Sequence, residues 1–146
     1  MERTLAILKP DCLQKKLVGA VLSRIEQAGF SIIAARILHL TPTQAEAFYS
    51  VHLGKPFYPG LIEFMTQGPC MVAVLEKDNA ISDYRALMGN TDPALAAPGT
   101  IRHEYATTIR YNIVHGSDSH ENAGREIAFF FSESELCLTS PAAAKK

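Results

Sequence analysis

The sequence is poor in charge and contains no long apolar run. Only 20% of its 146 residues are charged, and the formal net charge is −1. This balance argues against a protein that binds nucleic acid or an anionic membrane mainly through charge. A site for an anionic ligand must therefore be local and built from a few basic residues.

Cysteines are few and scattered, at Cys12, Cys70 and Cys137, with no Cys-x-x-Cys pair. The lack of grouped Cys and His residues gives no support to a structural zinc site. The odd number of cysteines, without a secretory or membrane-spanning segment, favours reduced thiols in a cytoplasmic protein. We expect each cysteine to be a small buried residue.

Two common signatures of nucleotide and ester chemistry are also missing. The chain has no glycine-rich phosphate loop of the Walker or dinucleotide type, and no Gly-x-Ser-x-Gly motif. Any phosphate site must use another arrangement of residues. A serine hydrolase of the α/β type is not supported.

The length and the apolar content are those of one folded domain. The chain has 16.0 kDa and 47% hydrophobic residues, enough for a substantial core. We assign residues 1–138 to a single domain. The polar, alanine-rich residues 139–146 are predicted to form a flexible tail.

Short β-rich stretches alternate with helical periodicity. Strands are predicted at TLAILKP (4–10), FSIIAARILHL (30–40), PCMVAVLEK (69–77) and YNIVH (111–115). Helices are predicted at residues 17–29, 41–52, 61–68, 79–89 and 119–131, and a long loop at 90–102. This order predicts an α+β, ferredoxin-like antiparallel sheet (βαββαβ) with helices packed on it and extra helices and a long loop inserted.

The last strand ends on a histidine, His115. Gly116 is expected to permit a tight turn and the close approach of a ligand. Residues suited to cap the following helix come next, namely Ser117, Asp118 and Ser119. The pattern places a titratable ring beside a helix N-terminus, which favours anionic ligands.

Glu126, on the last predicted helix, could orient the His115 ring. A neutral imidazole has one N–H and one lone-pair nitrogen, and a carboxylate on the N–H fixes the tautomer and stabilises the cation formed when the ring attacks an electrophile. Ser117 could bond the same carboxylate. A Ser-His-Asp triad with Asp118 is the weaker interpretation, because residues so close in sequence rarely reach triad geometry.

Three basic residues lie near predicted loops. Lys9 ends the first strand, Arg85 lies on a helix, and Arg102 ends the long loop. Together they fit a polyphosphate clamp, although each alone could be a solvated charge. Phe57 lies in a proline-rich turn and Tyr49 on a helix; either could stack on a flat ligand or belong to an apolar cluster.

The stretch NIVHGSDS (112–119) carries the signature Asn-x-x-His-Gly-Ser-Asp-Ser and resembles nucleoside diphosphate kinase. The stretches ERTLAILKPD, GKPFYPGLIEFMTQGP and NTDPALAAPGTIR support the likeness in the family's order and spacing, from Glu2 to Cys137. The resemblance implies transfer of a γ-phosphoryl group from a nucleoside triphosphate, chiefly ATP, to a nucleoside diphosphate. The route it implies is a ping-pong mechanism through a phosphohistidine, with nucleotide pools maintained by the reaction.

By the same resemblance, His115 is the phosphorylated nucleophile. Glu126 and Ser117 orient it, Lys9 assists, and Tyr49 flanks the ring. A nucleotide- or nucleic-acid-binding regulator on a similar fold, without catalysis, is the alternative hypothesis, and the presence of these residues counts against it.

The resemblance also implies a set of contacts to the nucleotide phosphates. Lys9 and Arg102 are expected at the transferring phosphate, and Arg85 and Thr91 at the inner phosphates. Asp118 is expected to hold water on a Mg²⁺ ion that bridges the phosphates.

For the nucleoside, Asn112 with Lys9 is similar to the family's ligand of the sugar hydroxyls. Phe57 resembles the aromatic residue under the base, and Ile109 lies on its other side. Since every base has a π face, broad nucleotide specificity is expected.

Members of the family are homo-oligomers, so the resemblance implies a homo-oligomer, with a tetramer favoured over a hexamer or dimer. Neither a membrane nor an obligatory nucleic acid partner is expected. The chain departs from the family pattern at Cys12, His103 and Glu104.

Overall fold

The structure is a computed structural model that describes residues 1–137, so the predicted tail at 139–146 lies outside the described residues. Its sheet has the strands β1 (Glu2–Leu8), β2 (Ser31–Leu38), β3 (Cys70–Lys77) and β4 (Val114–Gly116). Their order is β2-β3-β1-β4, and every neighbouring pair is antiparallel. The predicted ferredoxin-like sheet is therefore confirmed.

Seven α-helices connect and cover the strands within residues 1–137. They are α1 (Pro10–Gln14), α2 (Val18–Gln27), α3 (Pro42–Phe48), α4 (Tyr58–Thr66), α5 (Ala80–Met88), α6 (Ile101–Tyr105) and α7 (His120–Phe130). Short 3-10 turns lie at Ser50–His52, Pro93–Leu95 and Glu133–Glu135. Helix α3 begins as predicted, since Thr41 caps it in a capping box with Gln44.

The sheet is buried on both faces. Along β1, Leu5 and Ile7 join the core under α3, α4 and α7, while Ala6 and Leu8 join the core under α2 and α5. This alternation explains the continuous apolar run, because each successive side chain meets a different layer of helices. Strand β1 is held in the middle of the sheet and is a rigid support for the residue that follows it, Lys9.

The last strand is shorter than predicted. We expected residues 111–115, but pairing with β1 begins only at Val114. Ile113 has φ +75°, a left-handed conformation that breaks the strand, and its N–H donates to Oδ2 of Asp11 at 3.1 Å. The buried Asp11 carboxylate thus holds the bend before His115.

Two helices replace predicted irregular chain. Pro10 ends β1 as expected, but it also begins α1, as proline often does at the first helical position. The predicted loop 90–102 is wrong at its end, because Thr100 caps α6 and accepts from the His103 N–H. Arg102 therefore projects from a helix.

The cysteines differ in burial. Cys12 and Cys70 are buried free thiols, and burial raises the pKa of Cys12 to about 12 and that of Cys70 to about 11. Cys137 is an exposed free thiol, so the prediction that all three are buried is wrong. Within residues 1–137, no helix has the length and hydropathy needed to cross a bilayer.

Candidate active site

A cavity of about 920 Å³ opens beside the end of β1 and the short strand β4. Most of the predicted site residues line it, namely Lys9, Tyr49, Phe57, Arg85, Thr91, Arg102, Ile109, Asn112, His115, Asp118 and Glu126. Ser117 is fully buried and contacts Glu126. The fold therefore brings together residues that lie more than one hundred positions apart in sequence.

His115 lies on β4, opposite Ile7 of the central strand β1. Its side chain is 19% exposed, and its Nε2 atom is 2.8 Å from Oε1 of Glu126. Within residues 1–137, Nδ1 has no hydrogen-bonding partner. Since a neutral imidazole carries one proton, an Nε2–H bonded to Glu126 leaves the lone pair on Nδ1.

Glu126, on α7, is nearly buried and held from two sides. Its Oε1 atom also accepts from Oγ of Ser117 at 2.9 Å, and Ser117 Oγ accepts in turn from the Leu5 N–H at 3.2 Å. Burial alone would raise the pKa of Glu126, but the hydrogen bonds from His115 and Ser117 outweigh it and lower the pKa. Glu126 is therefore a fixed carboxylate that orients the imidazole.

Close packing explains the glycine after His115. A Cβ at Gly116 would lie 2.6 Å from Cδ2 of Tyr84 and 2.7 Å from Cε of Met88, both on α5. Gly116 belongs to β4, so the predicted tight turn at this position is wrong. On the other side the ring of Phe48 meets the imidazole edge-on, with centroids 5.8 Å apart.

Lys9 is a buried cation at the base of the cavity. Its Nζ atom donates to Oδ1 of Asn112 at 2.9 Å, and Asn112 donates in turn to the Thr91 carbonyl at 3.3 Å. Burial, and then the nearby Arg102 guanidinium, lower the pKa of Lys9 to about 8. The pKa of Lys9 therefore lies close to neutral pH, and a small rise in pH removes its charge.

Arg102 ties together three segments around the cavity. Its guanidinium donates to backbone carbonyl groups of Gly89 at 3.0 Å, Asn112 at 3.3 Å and Val114 at 2.8 Å. An arginine has five N–H groups, so two remain after these contacts. Arg102 both braces β4 and presents positive charge to the cavity.

The exposed rim of the cavity carries both signs of charge. Arg85 and Thr91 are exposed, and Asp118 accepts from Nδ2 of Asn122 at 2.6 Å. This hydrogen bond lowers the pKa of Asp118, so its carboxylate is ionised at neutral pH. The rim can thus bind an anionic chain and a cation that accompanies it.

Apolar side chains form the outer part of the cavity. Phe57 is 45% exposed and Ile109 is 60% exposed. His52 packs on Phe57, with ring centroids 5.3 Å apart, and burial with the nearby Lys55 charge lowers its pKa. These features provide a slot suited to a flat ring.

Several residues that line the cavity or pack on His115 had no distinctive sequence pattern. Asn122 could have been found from its position four residues after Asp118, the spacing of one helical face. Arg125 lies on the same helix, and its Nη2 atom is 3.8 Å from Oε2 of Glu126. For Phe48 and His52, only their closeness in sequence to Tyr49 was a signal.

Comparison with known proteins identifies the family. A sequence model described as nucleoside diphosphate kinase matches residues 2–136. The chain belongs to the nucleoside diphosphate kinase family. It is an enzyme that transfers the γ-phosphoryl group of a nucleoside triphosphate to a nucleoside diphosphate.

Individual nucleoside diphosphate kinases are similar over nearly the whole chain. The protein from Pasteurella multocida (strain Pm70) is 55% identical over 136 residues, which are 93% of this chain and 98% of that protein. The structure of the Aquifex aeolicus enzyme has a TM-score of 0.91 at 44% identity, covering 92% of this chain and 98% of its own. A Halobacterium salinarum enzyme in complex with CDP has a TM-score of 0.91 at 38% identity, covering 99% and 97%.

Proposed function

We propose that His115 carries the phosphoryl group between two half-reactions of a ping-pong mechanism. The observation that supports this most directly is the contact of Nε2 with Glu126, which leaves a lone pair on Nδ1 in a side chain that lines the cavity. Nucleophile, orienting carboxylate and binding cavity are the parts that nucleophilic catalysis requires.

In the first half-reaction the Nδ1 lone pair forms a bond to the γ-phosphorus of the donor. The bond from that phosphorus to the bridging oxygen breaks, and the oxygen leaves on the nucleoside diphosphate. The ring then carries a positive charge, which the Glu126 carboxylate stabilises through Nε2–H. In the second half-reaction a terminal oxygen of the acceptor attacks the phosphorus and the N–P bond breaks.

Charge neutralisation is the main task of the surrounding residues, because phosphoryl transfer depends chiefly on positioning and electrostatics. We assign Lys9 and Arg102 to the transferring phosphate, since both are nearly buried cations in the cavity. Arg85 and Thr91, on the exposed rim, are assigned to the inner phosphates.

Mg²⁺ is proposed to enter with the nucleotide. Residues 1–137 contain no cluster of three His, Cys, Asp or Glu side chains that could hold a metal ion, but the exposed, ionised Asp118 fits an ion bound mainly by phosphates and water. When bound, Mg²⁺ would neutralise phosphate charge. Asp118 would contact it through water and keep the polyphosphate directed toward His115.

The nucleoside is proposed to lie in the outer part of the cavity. Phe57 and Ile109 are assigned to the two faces of the base, and Asn112 with Lys9 to the sugar hydroxyls. Tyr49 is assigned to the wall beside His115; it is buried, and burial raises its pKa.

We also propose a cytoplasmic homo-oligomer, with a tetramer favoured over a hexamer or dimer. Strand β2 lies at the edge of the sheet, and Ile37 on it is 58% exposed. An exposed apolar edge is typical of a surface that another subunit covers. Light scattering of the purified protein measures the number of subunits.

Isotope exchange tests the proposed mechanism. A ping-pong enzyme exchanges label between ADP and ATP when no second nucleoside diphosphate is present, because the first half-reaction is reversible on its own. We expect this exchange in the wild type and its loss in His115→Ala, with ADP binding retained. Exchange that persists in His115→Ala would contradict the assignment of the nucleophile.

A further inference from the structure

The side chain of Arg110 lines the cavity and extends to helix α4. It belongs to the segment between α6 and β4, where the Thr107 N–H donates to the Tyr111 carbonyl at 3.0 Å and the Tyr111 N–H donates to Oγ1 of Thr108 at 3.0 Å. The Tyr111 ring packs edge-on against Phe64 of α4, with centroids 4.8 Å apart. These contacts hold the segment against α4.

The guanidinium of Arg110 lies directly over Gly60 on α4. A Cβ at Gly60 would be 2.4 Å from Nη2 and 2.5 Å from Cζ of Arg110, so only glycine leaves room for the group where it lies. Gly60 is three residues after Phe57, and side chains at this helical spacing are separated by about 5–6 Å at Cβ. The guanidinium therefore lies near the first turn of α4, and Arg110 and Phe57, the residue on which the base is proposed to stack, line the same cavity.

No acceptor is paired with this charge. Among residues 1–137, Arg110 makes no hydrogen bond or ion pair, although it lines the cavity. By contrast, Arg102 is bound to three carbonyl groups. Arg110 thus presents a planar set of N–H donors to whatever occupies the outer cavity.

We infer that Arg110 contacts the edge of the nucleobase and gives this enzyme a preference for 6-oxopurine nucleotides. The inference rests on the proposed function, because it places the base on Phe57. Stacking alone does not distinguish bases, but an arginine can donate two N–H groups to the O6 and N7 acceptors of guanine or hypoxanthine. Adenine instead presents an amino group at C6, which is a hydrogen-bond donor and cannot accept from the guanidinium.

The test compares dissociation constants, measured by calorimetry on the whole enzyme, for GDP, IDP and ADP. Tighter binding of GDP and IDP than of ADP, by about tenfold, is expected for the wild type. In Arg110→Met the ratio of the Kd for ADP to the Kd for GDP should be close to one, and in Arg110→Lys it should be intermediate. The analogue 7-deaza-GDP, which lacks the N7 acceptor, should lose most of the advantage of GDP.

Gly60→Ala supplies a second variant in which the arginine remains. The new methyl group would occupy the space of the guanidinium and displace it, and alanine favours the helical backbone of α4. This variant should also lower the preference for GDP over ADP.

Two outcomes would overturn the inference. In the first, the Kd values of Arg110→Met for ADP and GDP both equal those of the wild type, which shows no contact with the base edge. In the second, both Kd values rise by the same factor, which assigns the charge to the phosphates. These ratios are read without turnover, whereas labelling of His115 by ATP reports on the proposed mechanism. If ATP labels His115 normally and the ratio of the Kd for ADP to the Kd for GDP is unchanged in Arg110→Met, only the role of Arg110 is rejected and the proposed mechanism stands.

Discussion

The Nε2 atom of His115 on β4 lies 2.8 Å from the Oε1 atom of Glu126 on α7. This contact joins the sheet to the last helix, and Ser117 fixes the carboxylate from behind at 2.9 Å. Because the carboxylate is nearly buried, its charge acts on the imidazole with little screening by water. The reactivity of His115 should therefore depend on Glu126.

Glu126→Gln tests this dependence. Glutamine can still accept a hydrogen bond from Nε2–H, but it lacks the negative charge that stabilises the cationic ring. We expect the rate of His115 phosphorylation in a single turnover to fall on the order of 10²- to 10⁴-fold, with the Kd for ADP nearly unchanged. A loss of ADP affinity as large as the loss of rate would contradict a role confined to the reacting ring.

Gly116→Ala tests the close approach of β4 to α5. The added methyl group would overlap Tyr84 and Met88, so we expect a loss of about 1–3 kcal/mol in the free energy of unfolding, measured in urea. Gly124→Ala on α7 is the matched control, because nothing lies within 4 Å of the new Cβ. The control should stabilise the protein by up to about 1 kcal/mol, and equal effects of both changes would reject the packing explanation.

The lowered pKa of Lys9 predicts a pH dependence of nucleotide binding. Burial favours the neutral amine, so the free enzyme loses this positive charge as the pH rises through about 8. The kcat/KM for nucleotides, which reports on groups of the free enzyme, should fall over the same range. In Lys9→Met, kcat/KM should be low and flat there; a decline that survives the substitution belongs to another group.

Local chemistry made part of the fold predictable. Thr41 and Pro42 mark the start of α3 in the sequence, and Ser119 caps α7 as its residue type indicates. Because the cap directly follows the histidine strand, the position of His115 beside a helix N-terminus could also be predicted. Glu126 lies on the helix that Ser119 begins, so it could be expected within reach of the His115 ring.

Features that depend on distant partners could not be predicted. The left-handed Ile113 requires the carboxylate of Asp11, which is 102 residues away, so the pattern of YNIVH alone indicated a strand that the structure shortens. Likewise, Gly60 was expected at the end of a proline-rich turn, but it lies on α4, and Arg110, fifty positions later, lies over it. Such pairs depend on tertiary packing rather than on local propensity.

The phosphoryl state of His115 shows whether this residue is the nucleophile. The wild type is incubated with ATP and Mg²⁺ without an acceptor, and the intact protein is analysed by mass spectrometry and ³¹P NMR. We predict one phosphoryl group per chain on His115, labile to acid, discharged by GDP with formation of GTP. If the protein turns over nucleotides at its full rate and no phosphorus is ever bound to His115, then His115 is not the nucleophile and the ping-pong mechanism is rejected.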